Sequence, residues 1–182
     1  MFTDGRSRRV LLIAHCLLNQ NAISDGTAVC PAAFREAVRA LLDGEAGIVQ
    51  LPCPELCCLG LDRGDPRGAE RPVTVENTRI RRALCEPSAG KRLTALADQA
   101  ARQAAEYRKH GFAVLGVVGV DRSPSCGVET TSDRDAEVPG RGLFMEALSR
   151  RLAELGLEVP MLGVRGPEDA AAKIKALLQN AG

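Results

Sequence analysis

At 182 residues the chain has room for one well-packed domain and little for two. Its 24 Lys and Arg nearly balance 23 Asp and Glu, which argues against a strongly basic nucleic-acid groove. With no Trp, one Tyr and four Phe, it also lacks the aromatic supply of a base-stacking platform.

The opening MFTDGRSRR is basic but short. The VLLIAHCLL behind it is too brief for a bilayer span and carries no small-residue cleavage site. Neither a membrane segment nor a signal peptide is expected, and a cytoplasmic location is. RRVLLIAHC is an apolar run with a polar start, predicting a short buried strand. CLLNQNAISDGTAVCP is a loop by composition. In PAAFREAVRALLDG, Phe34, Val38, Leu41 and Leu42 recur at helical spacing, with Pro31 suited to the first turn and Gly44 to the end. AGIVQLPCPE predicts a second strand that stops at Pro52. LCCLGLDRGDPRGAERPV, rich in Gly, Pro and charge, reads as loop or irregular chain, and VENTRIRRALCEP as a short helical piece. A long helix follows from Ser88, its expected cap, to Lys109, with Gly111 as its stop.

FAVLGVVGV is a third strand, apolar enough to be buried on both faces as parallel strands are. GRGLFMEALSRRLAELG places Phe144, Leu148, Leu152 and Leu155 along one side of a further helix. LEVPMLGV is a fourth strand, and PEDAAAKIKALLQNAG a closing helix with Pro167 in its first turn. Strand and helix alternate throughout, without repeat or linker. The expectation is a single α/β domain over residues 1–182, a three-layer sandwich with a mostly parallel sheet of Rossmann or flavodoxin type.

Seven cysteines in an odd count, with no secretory signal, do not make a disulfide framework. Position separates them. In an open α/β sheet the ligand crevice lies outside the carboxyl ends of the strands. Cys16, Cys53 and Cys126 each follow a different predicted strand, which gathers three thiols on that edge. Cys30, Cys57, Cys58 and Cys85 fall in loops or near helices. Three ionised thiols repel unless a metal neutralises them, and three ligands leave one position open, as catalytic sites do. Soft thiolates suit zinc or an iron–sulfur cluster. The same thiols could instead be buried filler, the commonest use of a free cysteine.

The neighbours of these thiols add chemistry. Glu55 stands two residues past Cys53, as a general acid or base or as a solvated loop carboxylate. Ser123 stands three before Cys126, to hold substrate or to start a turn. Gly127 would let the backbone pass close to a bound group. His15, Asn19 and Asn21 are polar groups for a ligand or for closing the loop. Arg63 and Arg67 are candidates for an anion contact, although a charged loop exposed to solvent is the ordinary use of such residues.

AHCLLNQN, LPCPEL and DRSPSCG resemble the three motifs of the thiouracil desulfidase family, roughly Ala-Cys-Leu-Leu-Gly, Cys-Pro-Glu and Arg-Ser-Pro-Ser-Cys-Gly. The likeness spans residues 9–127, with a weaker match through GLFMEAL. It implies a [4Fe–4S] cluster on Cys16, Cys53 and Cys126, with the fourth iron free to capture the sulfur of a thiocarbonyl substrate. Water then attacks the carbon and sulfur leaves as sulfide without net redox. It further implies Glu55 as the proton-transfer group and Ser123 as a catalytic or substrate contact. Asn19, Ser125 and Gly127 are expected, from the residues themselves, to bind substrate. The chain departs from the pattern at Asn19, where glycine is usual, and in a longer, more charged stretch from Leu56 to Pro87 that adds Cys57, Cys58 and Cys85. The resemblance is therefore to a divergent branch. Its expected partner is a small thiolated molecule, such as a nucleobase, a nucleoside or another thioamide; a nucleic acid is disfavoured, with thiolated RNA left open. The competing readings are a zinc-binding or redox-sensing cysteine module and a noncatalytic nucleotide-binding domain.

Overall fold

Residues 2–180 are described by a computed structural model, in which the four apolar runs lie side by side as one sheet. They are β1 (Arg9–Ile13), β2 (Gly47–Gln50), β3 (Ala113–Val120) and, last in the chain, β6 (Met161–Val164). The order is β2-β1-β3-β6 and every pairing is parallel. Leu11 and Leu12 of β1 and Val117 and Val118 of β3 have no exposed surface, as expected of strands covered on both faces. Glycine at 116 lets that packing close, because a Cβ there would press on Leu177 and the Pro160 carbonyl.

Seven helices occur among the described residues: α1 (His15–Leu18), α2 (Arg35–Asp43), α3 (Pro54–Leu59), α4 (Val73–Cys85), α5 (Pro87–Lys109), α6 (Leu143–Glu154) and α7 (Pro167–Asn180). The crossovers run one way from β1 to β2 and the other way from β2 past β1 to β3 and on to β6. Helices therefore fall on both faces, with α2 packed on α7 and α5 packed on α6. The α/β three-layer architecture is as expected. None of these helices is long and apolar enough to cross a membrane.

Five local expectations change. The loop after β1 contains α1 and a 3-10 turn at Gln20–Ala22, and α2 begins at Arg35 instead of Pro31. The stretch expected to be irregular after Cys53 forms α3, whose first residue Pro54 has a ring that presets the helical φ. The short piece at Val73 is the thirteen-residue α4. The long helix starts on Pro87, so Ser88 lies inside it and does not cap it. A hairpin not foreseen at all pairs β4 (Thr130–Asp133) with β5 (Ala136–Pro139). Its two-residue turn puts Arg134 at φ 49° and Asp135 at φ 61°, a conformation usually announced by Asn-Gly, which this chain does not use.

Candidate active site

The connections leave β1 and β3 in opposite directions, so the crevice of this sheet opens at the carboxyl ends of those two strands. Cys16 sits there in α1, and Ala14 N–H donates to Val118 O (2.8 Å), tying the turn after β1 to β3. Cys53 is the residue before α3, and its Sγ accepts the Leu56 N–H (3.4 Å) as a capping side chain would. Cys126 closes the turn after β3, where the Val120 N–H reaches the Cys126 carbonyl at 2.9 Å. Within that turn the Ser123 hydroxyl accepts the N–H groups of Cys126 (3.0 Å) and Ser125 (3.3 Å).

Two further groups hold the turn. Asp121, 4% exposed, accepts three backbone N–H groups on one oxygen, from Val128, Glu129 and Thr130. The N-terminus of α6 supplies the other anchor: Leu143 N–H donates to Pro124 O and Phe144 N–H to Ser125 O, both at 3.0 Å. These are donors that a helix start leaves without partners, and the motif turn satisfies them. Gly142 allows the approach, since a Cβ there would strike the Ser125 carbonyl and Cys126 N. Gly127 is required by the turn itself, where a Cβ would strike the Thr130 and Ser123 carbonyls.

The three thiols feel one another. Burial pushes the Cys16 thiol up to about 12, and the neighbouring Cys53 and Glu55 charges add to it. Burial likewise lifts Cys53 to about 11, with Glu55 again contributing. Cys126 is raised well above the ordinary thiol range by burial first and by Cys16 and Cys53 next; the Ser125 hydroxyl opposes the rise. Such thiols stay protonated by themselves, and each ionisation makes the next harder. The remaining cysteines are free thiols outside this set, with Cys57 and Cys85 exposed.

Glu55 connects the second and third motifs to the loop that follows the first. It is 7% exposed; Oε1 accepts from the Ser125 hydroxyl (2.7 Å) and the Ser123 hydroxyl (3.4 Å). Its Oε2 accepts from Arg63 Nε (3.0 Å) and the Ser24 hydroxyl (3.3 Å). Arg63, only 3% exposed, is the residue that composition misassigns to a solvated loop. Its five N–H groups meet five acceptors: Glu55, the carbonyls of Gly60, Leu61 and Ala22, and the Cys53 sulfur at 3.9 Å. Its backbone is left-handed at φ 56° and its carbonyl accepts from Arg79 Nη2 (2.9 Å). Arg79 and Arg71 both grip Glu76, whose carboxyl they hold below its usual range, and Arg71 also grips Asp65. The charged segment after α3 is thus the seat of Arg63.

Ser123, Ser125, Glu55 and the three strand-end cysteines are brought together. Asn19 caps the 3-10 turn, accepting the Asn21 N–H at 3.1 Å, and its amide lies 3.4 Å from His15 Nε2. Arg67 makes no ion pair among the described residues. Arg63, Ser24 and Asp121 are the site residues that sequence reasoning missed or undervalued. The only signal for Asp121 was its place at the end of an apolar run; Ser24 gave none.

Among the described residues, no group of three or more His, Cys, Asp or Glu side chains is arranged to hold a single metal ion. A polynuclear cluster makes a different demand, one thiolate for each of several irons. A model of the 2-thiouracil desulfurase family matches residues 11–159. An uncharacterized protein of Methanocaldococcus jannaschii, MJ0003, is 28% identical over 152 residues, covering 84% of this chain and 83% of its own. No solved structure matches the chain. The match takes in all three cysteine turns and their connecting elements, and the chain belongs to the 2-thiouracil desulfurase family.

Proposed function

We propose that the protein is a [4Fe–4S]-dependent desulfidase that converts the thiocarbonyl of a small molecule, such as a thiolated nucleobase or nucleoside, to a carbonyl. The reaction balances as C=S plus water giving C=O plus hydrogen sulfide, with no electron transferred. The observation that carries the reading is the convergence of the cysteine turns on one buried carboxylate: Glu55, two residues past Cys53, accepts from Ser125 and Ser123 of the Cys126 turn, and its charge and that of Cys53 both act on Cys16. Left as thiols the three cysteines are a poor use of a crevice, whereas a polycationic group that binds them as thiolates removes both the burial cost and the mutual repulsion. Cys16, Cys53 and Cys126 would hold the cluster, and no fourth cysteine belongs to the coupled set. When bound, such a cluster supplies a Lewis-acidic iron without a protein ligand, able to polarise a thiocarbonyl sulfur.

The chain's own residues then handle the proton and the water. Glu55 Oε1 takes a proton from the attacking water and then the hydroxyl proton left on the carbon, passing each to the sulfur, which departs as hydrogen sulfide. Arg63 and Ser24 fix the opposite oxygen, so that the carboxylate cannot rotate away. Ser125, 2% exposed, and Ser123 form a hydroxyl relay to Oε1, with Ser123 Oγ 3.2 Å from Ser125 Oγ. Ser123 is the outer hydroxyl of the pair and contacts the substrate.

The test is anaerobic reconstitution with iron and sulfide, followed by sulfide release from 2-thiouracil and 4-thiouridine. Visible thiolate-to-iron absorption should appear and should be lost in Cys16→Ala, Cys53→Ala and Cys126→Ala, while Cys85→Ala keeps it. Retention of a full cluster by all three single variants, or stoichiometric zinc without iron after anaerobic purification, would overturn the assignment. Glu55→Gln should keep the absorption and lose about 10²–10⁴ in kcat.

A further inference from the structure

We infer that Arg63 serves the proton-handling carboxylate and a cluster ligand with one guanidinium, donating to Glu55 Oε2 and to the Cys53 sulfur, and so draws negative charge off the cluster. This rests on the cluster-binding part of the desulfidase reading above. The three ligand sulfurs are not equally served. Among the described residues no side-chain donor reaches Cys16 Sγ. Cys126 Sγ has the Ser125 hydroxyl at 3.5 Å, but that hydroxyl carries a single proton and lies closer to Glu55 Oε1, at 2.7 Å. Cys53 Sγ faces the Leu56 N–H at 3.4 Å and a permanently charged donor, Arg63 Nη2, at 3.9 Å.

The guanidinium is fixed facing that sulfur. Its Nε is held by Glu55, its Nη1 by the Gly60 and Leu61 carbonyls, and the other Nη2 hydrogen by the Ala22 carbonyl. The side chain is buried, so neither water nor salt screens its charge. The contact is long for a neutral thiol, and the negative charge of an iron-bound thiolate strengthens it. A cationic donor on a ligand sulfur stabilises the reduced, more negative cluster. It also leaves the irons poorer in electrons, and so better Lewis acids toward a thiocarbonyl sulfur. The same cation holds Glu55 by Oε2 and leaves Oε1 to the hydroxyls. One positioning residue therefore sets both the base and the charge at a metal ligand.

The experiment is a dithionite titration of the reconstituted protein with redox mediators, followed by electron paramagnetic resonance, in the parent, Arg63→Lys and Arg63→Met. The midpoint potential should fall in both variants, and further in Arg63→Met, which loses the charge as well as the donor. The sign separates this role from a merely structural one. A loosened site admits water, which stabilises the more negative reduced cluster and raises the potential. A second readout needs no substitution. Parent protein with heavy nitrogen only in its arginine guanidinium groups should show a weak hyperfine coupling to that isotope in the pulsed spectrum of the reduced cluster, and Arg63→Lys should lose it. A potential in Arg63→Lys equal to the parent's or above it, or no such coupling in the parent, overturns the inference. A parent that loads its cluster but releases no sulfide from 2-thiouracil or 4-thiouridine defeats the desulfidase reading alone, and the potential still judges Arg63. A parent that takes up no cluster overturns both.

Discussion

The two ends of the sheet are built from opposite materials. At the amino end Phe2 meets Phe112 edge-on at 5.7 Å, Tyr107 tilts against Phe112 at 5.4 Å, and the Arg6 guanidinium covers the Phe2 ring. The charges there sit in exposed pairs, Arg6 with Asp4 and His110 with Glu106. At the carboxyl end no aromatic pair is seen among the described residues; a buried ion pair, two hydroxyls and three thiols gather there, and Arg63 and Glu55 are 3% and 9% exposed in their side chains. Burying polar groups is costly unless each finds a partner, whereas burying rings is favourable in itself. One end is therefore a plug that stabilises the fold. The other is held in place by the fold because its groups have work to do.

The largest expected effect follows from breaking the carboxyl end at Arg63, its buried cation. Arg63→Met leaves Glu55 buried without its counter-charge and the Leu61 and Ala22 carbonyls without their donor, while the Gly60 carbonyl keeps the backbone N–H of residue 63. Loss of one partner of a buried pair costs about 3–5 kcal/mol. Urea unfolding of the cluster-free protein should show that loss, and the reconstituted variant should release almost no sulfide. Arg63→Lys keeps the charge but not the five-donor fork, so it should recover most of the stability and little of kcat. Equal recovery of both would show that Arg63 acts only as a charge.

That residue also marks where the sequence stopped being legible. The strands could be read because their apolar runs are short and uninterrupted, and the cysteines could be placed because each run ends just before one. The fold class and the convergence of Cys16, Cys53 and Cys126 follow from those two facts. The seat of Arg63 could not be read. Four of its five acceptors lie outside any periodic pattern: three main-chain carbonyls from two loops and one sulfur. A run of Gly, Pro and charge looks the same whether it is solvated or folded around a guanidinium. The hairpin after Cys126 escaped for a related reason. Its two buried residues, Thr131 and Ser132, are polar and bond to the motif turn, through Ser123 O (3.0 Å) and Arg122 O (2.6 Å), so no apolar alternation announces it.

At the amino end the expected loss is smaller and of one kind. Phe112 is half-buried between Phe2 and Tyr107. Truncating a fully buried Phe costs about 3–5 kcal/mol, and partial exposure brings Phe112→Ala to about 2. Urea unfolding should register this, while cluster content and kcat stay as in the parent protein. A Phe112→Ala protein that folds, binds its cluster and yet fails to release sulfide would show that the two ends are coupled, and the division between them would fall.

The smallest effect tests whether pairing or burial makes the difference. Arg39 and Glu36 on α2 form an ion pair at 3.1 Å, close to the 3.0 Å of Arg63 and Glu55, but their side chains are 63% and 58% exposed. Water solvates both partners and salt screens them, so an exposed pair of this spacing is worth about 0.3–0.5 kcal/mol. Arg39→Ala should move the urea midpoint within that range and leave sulfide release untouched. Nearly the same distance would then give two effects differing about tenfold. A loss from Arg39→Ala as large as that from Arg63→Met would mean that pairing itself, and not the absence of water around it, sets the strength of the carboxyl end.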